Sequence, residues 1–177
     1  KNDMKIVSLK MSEPTLDDTM PDNERFTRAL RAQTGVNVIR ISYTALNKLA
    51  FVLRESHFDI QVVLRETEKD LFVYDVFEKE KNVIVGGMAV DIGTTTVSAI
   101  IIDMLTGEIL AKGSAGNGQI RYGADVINRI IESGKPGGRE KLQKAVIDET
   151  INPLIDTMCK QAHLDHSQLY RLCIASN

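Results

Sequence analysis

The run Met88-Ala89-Val90-Asp91-Ile92-Gly93-Thr94-Thr95-Thr96-Val97 holds the chain's clearest chemistry. An apolar strand delivers one carboxylate, Asp91, at its carboxyl end. Gly93 then permits a sharp turn and a close backbone approach. Thr94, Thr95 and Thr96 follow with hydroxyls and backbone N–H groups at the mouth of a β-hairpin. Successive turn amides make a concavity that suits an anion, and hydroxyls add donors. A carboxylate beside a polyphosphate is repelled unless a cation lies between them. Mg²⁺ fills that place, held through water because it dehydrates reluctantly. The run therefore predicts Mg–nucleotide phosphate binding without a Walker sequence. A plain hairpin would draw on the same residue types, since Thr favours strands and Asp and Gly favour turns.

Other chemistry-bearing residues read more simply. Gly113-Ser114-Ala115-Gly116-Asn117-Gly118 lacks the spacing of a dinucleotide loop and reads as a connecting loop. His163 and His166 follow a long helix with no partner motif and read as surface or packing residues. Cys159 and Cys173 are too few for a disulfide framework or a four-thiolate metal site. They read as small buried hydrophobes in a reducing cytosol.

The elements that position the run divide into two textures. Residues 1–80 read as a small α+β unit. Met4–Met11 is a strand by residue type. A helix follows Pro21, capped by Asp22 or Asn23 and ended by Gly35. A second helix is capped by Ser42 or Thr44, with Leu46, Leu49, Ala50 and Leu53 as its apolar stripe. Ile60–Leu64 and Leu71–Phe77 are strands joined by a polar turn. Glu78-Lys79-Glu80-Lys81 marks the boundary, a solvated connector with no apolar partner. Beyond it, Thr94–Asp103 and Glu108–Gly113 form a hairpin around Thr106-Gly107. Val126, Ile127, Ile130 and Ile131 define a short helix closed by Gly134. The pattern then predicts one helix from about Gly138 to His163, kinked at Pro153. Leu172–Ala175 is a last strand.

Composition narrows the function classes. The chain has 177 residues, 43% hydrophobic and 26% charged, a normal globular balance. Its net charge of −2 leaves no basic stripe for nucleic acid. Aromatics at 5% and no Trp argue against a base-stacking platform. The apolar run Val97–Leu105 is too short to span a bilayer, so no membrane role is expected. With no signal peptide, the reading is cytoplasmic. The chain opens on Lys1, which suggests a segment of something longer.

At this point a resemblance enters. DIGTTT (91–96) and its flanks resemble the first phosphate-binding segment of the acetate-kinase, sugar-kinase, heat-shock-chaperone and actin superfamily. DIGTTT, then DMLTGEIL (103–110), NGQIRYGADVINRI (117–130) and IASN (174–177) resemble the ATP-dependent reductive activators of corrinoid proteins. EPTLDD (13–18) and DNERFTRAL (22–30) add a weaker N-terminal match. The resemblance spans the whole chain and is specific over 87–131. The usual family form has Pro where this chain has Gly118, and Gly where it has Ser176.

The resemblance implies an α/β fold. Residues 1–80 would be a small α+β connector domain. Residues 81–177 would begin a ribonuclease-H-like subdomain of an actin-type ATPase and stop inside it. A second phosphate segment and an adenosine segment would fall after Asn177. The implied cofactors are ATP and Mg, with Asp91 organising the metal through water and Gly93, Thr94, Thr95 and Thr96 holding phosphates. Asn117, Gln119, Gly123, Asp125 and Arg129 match a second signature, of which Asn117 and Gln119 are candidate nucleotide-binding residues. Asp125 and Arg129 stand at i and i+4, the spacing of a helix ion pair worth about 0.3–0.5 kcal/mol. Alternatively, Asp125 lies near the metal's water shell and is a catalytic candidate beside Asp91. The implied activity returns a corrinoid protein, the partner, from Co(II) to Co(I). A 2Fe–2S cluster would supply the electron from a domain outside this chain, and the segment alone would be inactive. A homodimer is compatible with the sequence. A chaperone-like or scaffolding ATPase, in which nucleotide gates partner binding, is the competing reading, and a small-molecule kinase a third.

Overall fold

A computed structural model describes residues 3–176. They form two units that divide between Val83 and Ile84. In the first unit the order is β1 (Met4–Lys10), α1 (Asp22–Thr34), β2 (Val38–Ile41), α2 (Tyr43–Glu55), β3 (Asp59–Glu66) and β4 (Asp70–Glu78). The sheet order is β1-β3-β4-β2. β3 is antiparallel to both neighbours, while β2 runs parallel to β4. Leu9, Phe26, Leu30, Leu53, Ile60 and Leu64 meet in one core with no more than 1% exposure, so both helices pack on the sheet.

Three local expectations shift. β2 lies where the sequence reading had no strand. Only four residues long, it is held by pairing with β4 and not by a strong alternation. α1 is preceded by Pro21 with no side-chain cap, and Asp22 is its first residue. There the carboxylate suits the helix dipole and accepts from Arg54 Nη1 at 2.7 Å. α2 is capped by Ser42, whose hydroxyl accepts from Ala45 N at 3.0 Å. Its buried stripe is Ala45, Leu49, Val52 and Leu53, with Leu46 and Ala50 exposed. The helix is turned about its axis so that small Ala45 approaches the sheet. The charged stretch after β4 is also tied down. Gln61 Nε2 donates to the carbonyls of Glu78, Lys79 and Lys81 at 3.1, 2.7 and 2.8 Å.

The second unit runs β5 (Gly86–Ile92), β6 (Thr96–Asp103), β7 (Ile109–Gly116), a 3-10 turn (Gly118–Arg121), α3 (Val126–Ser133), α4 (Gly138–Val146), a π turn (Ile147–Ile151), α5 (Asn152–Ala162), a 3-10 turn (His166–Gln168) and β8 (Leu169–Ser176). The sheet order is β7-β6-β5-β8. β5, β6 and β7 form an antiparallel meander, and β8 returns parallel to β5. Three antiparallel strands, helices, then a fourth strand is the ribonuclease-H-like order that the resemblance implies. Met88, Val90, Val97 and Ile101 on one sheet face pack with Leu154 and Met158 of α5. Gly113 allows that closeness, because a Cβ there would sit 3.0 Å from Leu154 Cδ1 and Met158 Sδ.

The expected helix from 138 to 163 is one helical run, but its irregularity precedes Pro153. The π turn occupies 147–151, and Pro153 stands in the first turn of α5, where a missing N–H is tolerated best. α5 starts at Asn152, which has helical angles, with no side-chain cap. Cys159 is buried as expected, but Cys173 is exposed on β8, against its expectation. Among the described residues no helix is long and apolar enough to cross a membrane.

Candidate functional site

The phosphate-turn candidates sit between two paired strands. β5 ends at Ile92 and β6 begins at Thr96. The Gly93 N–H donates to Thr96 O at 2.9 Å and closes the turn. A Cβ on Gly93 would come within 2.8 Å of that carbonyl, so only glycine fits without displacement. Thr94 is half-buried, while Thr95, Thr96 and Asp91 are exposed.

The side chains part at the end of β5. Asp91 pairs across to Ser98 on β6 and to Ala175 on β8. Strand alternation sets it on the sheet face opposite Met88 and Val90. There it lines an open cavity of about 390 Å³ with Ala89, Ser98, Ile100 and Cys173. Gly93, Thr94, Asn117, Gln119 and Arg129 line a separate cavity of about 260 Å³. The structure thus gathers the turn with the second signature and leaves Asp91 at the same strand end, on the other face.

The second signature acts on the turn's backbone. Asn117 is buried at 2% exposure. Its Nδ2 donates to Gly93 O at 3.0 Å, its backbone N–H to Thr95 O at 2.8 Å, and its Oδ1 accepts from Gln119 N at 3.0 Å. Arg129 donates from Nη2 to Thr94 O at 2.5 Å, from Nε to Gly123 O at 2.9 Å and from Nη1 to Gln119 Oε1 at 3.3 Å. Gln119 Nε2 donates onward to Leu142 O of α4 at 3.0 Å. Gly123 is small for a reason: a Cβ there would lie 2.8 Å from Arg129 N and 3.0 Å from its Cγ.

Asp125 makes no ion pair with Arg129 among the described residues. Its Oδ1 accepts from Asn128 N at 2.8 Å and its Oδ2 from Asn128 Nδ2 at 3.0 Å, so it caps α3. Its intended partner Arg129 faces the turn instead. The cap wins because the first-turn N–H groups of a helix lack internal acceptors. Thr150, unmarked in the sequence, supports the loop from below. Its Oγ1 accepts from Gly118 N at 3.0 Å and donates to Ala145 O at 2.8 Å. Nothing in the sequence flags it, because its role exists only in the π turn.

The donor set fits a nucleotide phosphate. Among the described residues, neither the Thr94 nor the Thr95 N–H has an acceptor. The described residues include no group of three or more His, Cys, Asp or Glu that could hold a metal. A largely hydrated Mg²⁺ beside Asp91 is compatible with these residues. The thiols do not fit an iron–sulfur cluster. Cys159 is buried in α5, where desolvation pushes its thiol pKa up, and Cys173 lies on β8.

The chain is similar to known proteins. Residues 1–82 match the RACo linker region and residues 86–177 the RACo middle region. The corrinoid activation enzyme RamQ of Eubacterium limosum is 38% identical over 101 residues, which cover 56% of this chain and 16% of RamQ. A solved structure, a reductive activator for corrinoid, iron-sulfur protein, superposes with a TM-score of 0.78 at 34% identity. That match covers 100% of this chain and 28% of the activator, so the chain spans about a quarter of its length. On this match of both regions and of the fold, the chain belongs to the RACo family.

Proposed function

We propose that this chain is part of a protein that uses ATP to return a corrinoid protein from Co(II) to Co(I). Residues 1–80 serve as the connector, and 81–177 begin the ATPase region. Gly93, Thr94, Thr95 and Thr96 hold nucleotide phosphates, and Asp91 orients the water shell of Mg²⁺. The observation that carries this is the turn at the carboxyl end of β5. It offers two backbone N–H groups without acceptors among the described residues and three hydroxyls, with the exposed Asp91 carboxylate at the same strand end on the other sheet face. The names of the relatives support the corrinoid partner.

Reduction of Co(II) is uphill from ordinary cellular donors, so coupling to ATP is physically reasonable. ATP acts only if it favours one state of the complex over another. The electron comes from a donor held outside this chain, and no step here passes through Cys159 or Cys173.

The test uses the full-length protein. Asp91→Ala abolishes Mg-dependent ATP turnover and, with reductant and corrinoid protein present, the appearance of Co(I) absorption bands. Unchanged turnover would remove Asp91 from the site. Normal turnover in the wild type without Co(I) bands, across several corrinoid proteins, would favour the chaperone-like reading.

A further inference from the structure

We propose that Arg129 and Asn117 are positioning residues that aim the turn's amides at the phosphates, an inference that rests on the nucleotide reading above. In a trans peptide the carbonyl and the following N–H point in opposite directions. Asn117 Nδ2 holds the Gly93 carbonyl, Arg129 Nη2 the Thr94 carbonyl, and the Asn117 N–H the Thr95 carbonyl. Three consecutive carbonyls are thereby drawn to the side of the second signature. The N–H groups of Thr94, Thr95 and Thr96 are turned the other way. Released carbonyls would present oxygen to an anion and repel it.

The tie is specific to the turn. The donors converge on residues 93, 94 and 95 and not on the flanking strands. Arg129 makes no ion pair among the described residues, so its charge stands behind the turn without a carboxylate neutralising it. A single Lys nitrogen cannot reach Thr94, Gly123 and Gln119 at once, since those contacts use three separate guanidinium nitrogens.

The experiment compares wild-type full-length protein with Arg129→Ala, Arg129→Lys and Asn117→Asp. Calorimetry measures MgATP and adenosine. Hydrogen-exchange mass spectrometry follows the peptide over 91–97 without nucleotide. Arg129→Ala should weaken MgATP by about tenfold or more, the scale of one lost charge-assisted hydrogen bond. Adenosine affinity should hold, because adenosine has no phosphate to meet the turn. Arg129→Lys should recover only part of the loss, and Asn117→Asp should lose MgATP at least as much as Arg129→Ala. Exchange over 91–97 should quicken in every variant. Unchanged MgATP affinity, or equal losses for MgATP and adenosine, would overturn the proposal. If the wild type binds no MgATP while exchange still quickens, the nucleotide reading fails and the tie is structural only. If MgATP weakens without faster exchange, Arg129 acts by charge and not by holding the turn.

Discussion

Arg25 shows how a small domain keeps a cation at 3% exposure. Its Nη1 donates to Asp18 Oδ2 at 2.7 Å and to Ser12 O at 3.3 Å, and its Nη2 to Asp18 O at 3.2 Å. Asp18 and Arg25 belong to the N-terminal stretches that resemble the family, and together they pin the loop after β1 onto α1. The Arg25 hydrogen bond, helped by the Met20 N–H, holds the Asp18 carboxyl below its usual pKa of 3.8. A depressed carboxylate stabilises the fold above its unfolded pKa and ceases to do so as pH falls through the folded one. Thermal melts of wild type and Asp18→Asn should therefore differ at pH 7 and converge well below pH 3.8. A gap that stays constant down to acid would remove Asp18 as the cause. Gly118 makes a similar point about a single position. Its N–H donates to Thr150, and a Cβ there would lie 2.8 Å from Ala145 O. A Pro at this position would have no N–H to give and would lose that bond.

At the scale of elements, the π turn carries the most weight. It carries Thr150 into a site at 2% exposure, where one hydroxyl serves both Gly118 N and Ala145 O. Thr150→Val keeps the shape and leaves both backbone groups without that partner. A loss of about 1–3 kcal/mol is expected. Urea unfolding checks it, and a change within 0.3 kcal/mol would show that water replaces the hydroxyl. Such features also mark where sequence reading stops. β1, β3, β4 and the β5–β6–β7 meander were legible because alternation and glycine are local signals. The phase of α2 was not, since Leu49 and Leu53 fit two neighbouring stripes and only the sheet chooses between them. β2 escaped because its stability comes from β4. The type of residue at 117, 125 and 129 was legible, but the duty of each depended on partners far along the chain. Gly93 and Arg129 are 36 positions apart in sequence, yet both line one cavity.

At the scale of the whole molecule, the chain contains two separate cores. Leu30, Leu53 and Ile60 belong to one, and Val97, Ile101 and Met158 to the other. Each contains the apolar surface of an independent folding unit. Residues 1–83 and 84–177, made separately, should each give a cooperative thermal melt by circular dichroism. A half that melts without a transition would show that its core needs the other. The return of β8 has a consequence in time. The β5–β6 pair closes across Ile92 and Val97, but β8 must bring Leu169 back to Gly86. Each doubling of a closed loop costs about 0.6 kcal/mol more in chain entropy. The meander can therefore assemble early, while β5 keeps one edge unpaired until the helices are in place. A nascent chain paused at that stage would offer an open strand edge to any neighbour, which makes β8 pairing the step most exposed to misassembly.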